Sequence, residues 1–565
     1  MKRASLAVLL LGGLLGTTWG AYRLASSSEP QLSRFVPSGA LLYLQATDLT
    51  SLLADWDKSP EKDNWLKSKD HDVFAESRLM LRLKDAAHEF SSAAGVPTDA
   101  SLLRQVAGKQ TALALYDIGK LQFLYITRIP SADSMQSALW QTRSKFESRT
   151  AGGVNFFYRK DPDSEREVMF AIRGDYLFLA TREDLMVGSL ELQSGAKNQS
   201  IEDEAWWSRP VAAAGAPGDL RMVLNLEKIV STPYFRSYWI QQNITEMKEF
   251  SAAISDLTRS LQEYREERTL LRKDAGAHTR VDENGAAGVA EILRVVPGNT
   301  AFYEAKADPD PKDTLDLLTT KILAPHLGPP VPEKLAPQVQ LGSGESGSGA
   351  DLETRIDLPP AQNPVAGDSR APLEALVAKN RVLARLELQT TDRDSAGVFV
   401  RIHSALAFLG ESDWDEHSVC AALAQFVRPA LTTGQLGVEW KSVSGYRVLD
   451  GLWPLAIAVR EKYLFISDDA ALLTGTLEGL KKKANAPAAV FAAGFDHQGQ
   501  RGNFVTLTRS LDHGARSAMS GGSPEFFSEN IASLSFALQR VDSERVTIRD
   551  AGDRQTQTVI YSWGR

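Results

Sequence analysis

A chain of 565 residues is too long for one core, and its size implies about two to four domains. Its 43% hydrophobic and 24% charged residues are those of an ordinary globular protein. A net charge of −8 with no large basic block argues against nucleic acid as a partner, because phosphate binding needs a clustered positive field.

Lys2 and Arg3 precede an uncharged, Leu-rich run from Ala4 to Trp19, and Arg23 and Ser26-Ser27-Ser28 follow it. This pattern reads as an export signal or N-terminal anchor over residues 1–28. Tyr22 and Leu24 extend the run toward spanning length, so residues 4–24 either hold the chain in the inner membrane or leave after cleavage. Positive charge on the N-terminal side places the body in the periplasm. The only cysteine, Cys420, excludes an internal disulfide and a lipidated N-terminus.

The chain then reads as mixed α and β. LLYLQA (Leu41–Ala46) is a strand, and Asp48 or Thr50 caps a helix carrying Leu52, Leu53 and Trp56. Apolar residues at helical steps predict a second helix from Val73 to Ala93. Thr111–Asp117 and Lys120–Ile129 are strands joined by a tight turn. Ser131-Ala132-Asp133 opens a helix through Leu139, Trp140 and Phe146. Val154–Lys160, Glu167–Arg173 and Tyr176–Arg182 are successive strands, Leu185 to Leu190 a helix, and Asp219–Ile229 a strand. Ile244, Met247, Phe250, Ile254, Leu257 and Leu261 make a helical stripe, read as helix to Ala253 and strand beyond. Strands joined by turns, with helices between them, indicate an α+β fold with a mainly antiparallel sheet.

Much of this is written twice. Phe170–Glu191 aligns without a gap on Ile457–Glu478, with about nine identities. The segments starting at Arg34, Val106 and Phe250 match those starting at Arg294, Val377 and Phe527, in the same order. Two tandem homologous units follow: residues 29–275 and 291–565, joined by a small, polar linker at 276–290. The second carries an insertion at 325–372, dense in Pro and Gly, whose composition cannot build a core.

Chemistry-bearing motifs are sparse. In DWDEHSVC, Asp413, His417 and Cys420 could share a helix face and hold a metal, but Asp413 and Asp415 equally suit a helix N-terminus. Asp496-His497 and Asp512-His513 sit among turn formers. Ser346, in GSGESGSG, lacks the strand and spacing of a nucleophile elbow. Trp206-Trp207, Tyr234, Tyr238 and Trp239 could line a groove or fill a core. Lys481-Lys482-Lys483 reads as a solvated helix end. No phosphate loop, dinucleotide fingerprint or HExxH is present, so no cofactor is assigned.

The export signal, FVPSGALLYL at Phe35–Leu44, the Asp55–Pro60 segment and Ala112–Arg128 together resemble a family of uncharacterised exported bacterial proteins with membrane-anchored or periplasmic members. The resemblance implies an envelope location and supplies no catalytic residue. The leading expectation is a non-enzymatic binding or scaffold protein that meets an envelope protein or polymer. The alternatives are ligand binding in a cleft between the repeats, and a hydrolase whose site is assembled from scattered residues.

Overall fold

In a computed structural model the described residues are 31–67, 71–72, 75–76, 78–129, 137–232, 247–260, 262–274, 283–324, 371–394, 397–424, 426, 440–449, 454–503 and 541–563. Residues 1–28, read above as a signal or anchor, residues 325–370, Ser131–Asp133, Ser346, Tyr234, Tyr238, Trp239 and Asp512-His513 lie outside them. The fold is α+β with antiparallel pairing. The chain divides into two compact units, one holding His71–Arg259 and the other Ala275–Arg565.

The first unit contains β1 (Leu42–Ala46), β2 (Thr111–Asp117), β3 (Gln122–Arg128), β4 (Glu147–Ala151) and β5 (Val154–Lys160). It continues with β6 (Glu167–Arg173), β7 (Tyr176–Ala180), β8 (Leu220–Asn225), β9 (Phe250–Arg259) and β10 (Glu263–Arg272). Its strand order is β10-β9-β8-β1-β2-β3-β7-β6-β5-β4. Four helices fill the connection from β1 to β2: α1 (Leu49–Lys58), α2 (Pro60–Leu66), α3 (Arg78–Ala94) and α4 (Ala100–Val106). After β7 come α5 (Glu183–Gln193) and α6 (Ala205–Ala213).

The second unit opens with α7 (Glu283–Ile292) and β11 (Phe302–Ala307), followed by α8 (Pro311–Leu318) and α9 (Ala371–Val377). Then come the long hairpin β12 (Asn380–Asp394) and β13 (Gly397–Gly410), and α10 (Glu416–Ala424). Next are β14 (Lys441–Val443), β15 (Tyr446–Leu449), β16 (Leu455–Arg460), β17 (Tyr463–Ser467) and α11 (Ala470–Gly479). β18 (Phe491–Asp496), β19 (Val541–Asp550) and β20 (Arg554–Trp563) end the unit. The order here is β20-β19-β18-β11-β12-β13-β17-β16-β15-β14.

The central strands are apolar on both sides because both faces of each sheet are covered. In β7, Phe178 and Ala180 enter one core with Met186 and Trp207, while Leu177 and Leu179 enter another with Phe90 and Leu102. In β17, Leu464 and Ile466 pack with Leu318 and Leu376, while Tyr463 and Phe465 pack with Ile292 and Leu473.

Two sequence expectations are corrected. Phe250–Arg259 is a strand along its whole length, with Ile254 opposite Val223. Its apolar residues are buried because they enter two core clusters, Ala252 and Ile254 in one and Phe250 and Ala253 in another, not because the segment coils. Of the small, polar run at 276–290, the part from Glu283 on is helix, Glu283–Ile292, with Val289 and Ile292 fully buried, while 276–282 lies outside the described residues. Small residues serve close packing here: a Cβ on Gly288 would lie 2.7 Å from Val382 Cγ2.

Candidate functional site

Helices α1 to α4 cross from β1 to β2 and hold the most open apolar surface described. Asp48 starts α1 by accepting from the Ser51 amide at 2.9 Å. Leu49, Leu52, Leu53 and Trp56 then fall on one face at the 3.6-residue period. No residue of α1 is buried, and Trp56 is 44% exposed. Ser59 ends α1 and caps α2, accepting from the Lys62 amide at 3.2 Å with Pro60 at the first helical position.

Asp57 ties the layer together. It meets Lys62 Nζ at 2.5 Å and Arg104 Nη2 at 2.6 Å, joining α1 to α2 and α4. The Lys62 and Arg104 hydrogen bonds hold its carboxyl below the usual range. In the C-terminal half of α3, Phe90, Ala93 and Ala94 are buried, and Phe90 stacks on Phe123 at 6.1 Å. Toward its N-terminus Leu83, on the face of Phe90, is exposed, and so is Leu81 on the opposite face. Of the eight large apolar side chains exposed among the described residues, five (Trp56, Leu66, Leu81, Leu83 and Leu103) belong to this layer.

The same connection in the second unit, from β11 to β12, is closed. Asp310 caps α8 through the Lys312 and Asp313 amides, as Asp48 caps α1. Leu315 and Leu318 of α8, with Ile322 and Leu323 beyond it, are buried against α9 and α10. Between α9 and α10 lies a cleft of about 350 Å³ with Leu376 and Val419 on its walls and Lys379 and Asp415 at polar positions. Pro372, at the end of the Pro/Gly-rich segment, lines it too.

The acidic segment forms the N-terminus of α10 and does not assemble a metal centre. Asp415 accepts from the Ser418 amide at 2.9 Å, and these Ser418 contacts lower its carboxyl pKa. Trp414 is buried and donates its indole N–H to the Lys462 carbonyl at 2.9 Å. Asp413 and His417 face solvent, while Cys420 is half-buried against the core. Burial, with the charge of Glu416, pushes the Cys420 thiol up to about 11, which keeps it protonated at neutral pH and a poor ligand. Among the described residues no three His, Cys, Asp or Glu side chains are grouped to hold a metal.

The remaining candidates separate. Asp496 accepts from the Gly499 amide at 2.9 Å, whereas His497 Nε2 faces Glu544 at 3.7 Å. Trp206 and Trp207 are core residues of α6. Lys481-Lys482-Lys483 is exposed after α11. Sequence reasoning found the α1 and α3 stripes but not what lies against them. Aligning α1 on α8 supplies the missing signal, because Trp56 stands where α8 has Leu318.

No protein-family model and no curated protein matches the chain. Among solved structures, crystal form I of TP0453 aligns at 12% identity and TM-score 0.26, covering 45% of this chain and 81% of that one. Crystal form III aligns at 13% identity and TM-score 0.23, covering 44% and 83%. Among the described residues no helix is long and apolar enough to cross a membrane.

Proposed function

We propose that this is an exported cell-envelope protein that works by docking rather than catalysis, built from two copies of one α+β unit. The first copy presents its α1–α4 layer as the docking face. The concentration of exposed apolar side chains in that layer carries the reading, since uncovered apolar patches mark interaction sites.

Duplication is supported beyond the aligned segments by matching details. The strand orders of the two units correspond strand for strand. A Cβ on Gly188 would meet Pro37 at 3.0 Å, and one on Gly475 would meet Pro297 at 3.4 Å, the same helix–proline contact in each unit. Export to the periplasm, with residues 4–24 as anchor or cleaved signal, is supported by Lys2, Arg3 and the uncharged run after them.

Envelope crosslinking followed by pull-down of the tagged chain tests the docking reading, with spheroplast proteolysis reporting location. Leu53→Ser with Trp56→Ser should deplete crosslinked envelope material while the protein stays folded. An unchanged crosslinking profile would remove the reading. A second reading, small-molecule binding, is favoured only by the cleft between α9 and α10.

A further inference from the structure

The occupant of the open layer can be argued from what surrounds it. In the second unit, the helix that follows the first central strand is covered by protein: α9 and α10 bury Leu315 and Leu318. In the first unit the corresponding helix has no fully buried residue: Leu49, Leu52 and Leu53 are half-buried and Trp56 is exposed. Off the stripe, Asp55, Asp57 and Lys58 stay polar, and Lys62 and Lys67 follow in α2 and at its end. Leu and Trp on one face, and interspersed charges of both signs on the other, make the pattern of a helix lying in a membrane interface.

Chain length points the same way. The uncharged run ends near Trp19 and the fold begins by Leu32. So short a tether spans at most ~40–45 Å fully extended, at ~3.3–3.6 Å per residue. An anchor at residues 4–24 would therefore hold the first unit close to a bilayer at high effective concentration.

We propose that the α1–α3 face of the first unit seats on a lipid bilayer surface, with the exposed Trp56 dipping below the headgroups and the half-buried Leu49, Leu52 and Leu53 beside it. This rests on the docking reading above and names its partner. Both charge signs are present on the layer, so the driving force is apolar burial rather than attraction to anionic lipid. The long stems of Lys58 and Lys62 reach back to the headgroups.

The test uses the full chain carrying Cys420→Ser and one new cysteine bearing an environment-sensitive fluorophore. The new cysteine is Trp56→Cys on the stripe, Asp55→Cys on the opposite face, or Lys481→Cys in the second unit. The chain is bound to zwitterionic phosphatidylcholine–phosphatidylethanolamine vesicles, with and without spin-labelled acyl chains. A blue shift and loss of most emission to the quencher at position 56, but not at 55 or 481, is the expected result. Leu52→Ser with Leu53→Ser should abolish that quenching with circular dichroism unchanged. A probe at 56 that stays in water on the vesicles overturns the lipid proposal. If envelope proteins shield that probe instead, docking stands and only the lipid assignment fails. If neither shields it, both fail.

Discussion

Thr181 accepts from the Phe123 amide at 2.9 Å through a hydroxyl, and Asp468 accepts from the Ser404 amide at 2.8 Å through a carboxylate. The two bonds hold the same pair of neighbouring strands in their respective units. The carboxylate costs more, because burial pushes Asp468 up to about 6, only partly offset by the Ser404 amide and His403. Its folded-state pKa lies above that of the unfolded chain, so the folded protein binds the proton more tightly. Stability from this residue is full below about pH 4 and is lost as pH rises through about 6. Asp468→Asn keeps an acceptor and removes the titration. It should stabilise the second unit by about 1–3 kcal/mol at pH 7.5 and flatten the pH dependence between 4 and 7. Urea melts at pH 4.5 and 7.5 measure this, and an unchanged pH slope would count against it. In the first unit, Arg221 and Asp256 form a buried bidentate pair at 2.7 Å. Asp256→Ala leaves a buried guanidinium unpaired and should cost about 3–5 kcal/mol, read in the same melts.

Helices α1 and α8 make the contrast at the scale of elements. Both follow the first central strand, both start at an Asp cap, and both carry an apolar stripe. Burial separates them, with Leu318 fully buried and Trp56 not. Leu318→Ser should therefore cost about 2–5 kcal/mol through lost burial and an unfilled cavity. Trp56→Ser should change stability by less than about 1 kcal/mol, as exposed positions do. Equal losses in thermal melts would mean that α1 is core after all. This difference was not legible in the sequence, because periodicity reports which face is apolar and not what lies against it. β7 and β17 were legible, since YLFLA and YLFIS are near-continuous apolar runs between turns. α7 was hidden for the opposite reason. Its Gly and Ala residues look like linker composition, yet they let the helix approach Val382 closely. Helical spacing set His417 and Cys420 near each other in sequence but says nothing of burial, which leaves the imidazole exposed and the thiol half-buried.

At the scale of the whole molecule, each hydrophobic cluster among the described residues is assembled from one unit's residues. A protein whose cores are separate in this way melts as separate cooperative blocks, each with its own midpoint. The blocks share a strand order but not their covering helices, so their midpoints should differ. Calorimetry of the full chain should resolve two transitions. Asp256→Ala, in the first unit, should lower one of them, and Leu318→Ser, in the second, should lower the other. Substitutions with no shared partner act independently, so in the double variant each transition should move by its own single effect. Vesicles that seat the α1–α3 face should raise only the transition that Asp256→Ala lowers, because a ligand stabilises the block that binds it. A single transition moved by both substitutions would show the two units folding as one cooperative block, and would make the separate cores a feature of packing alone.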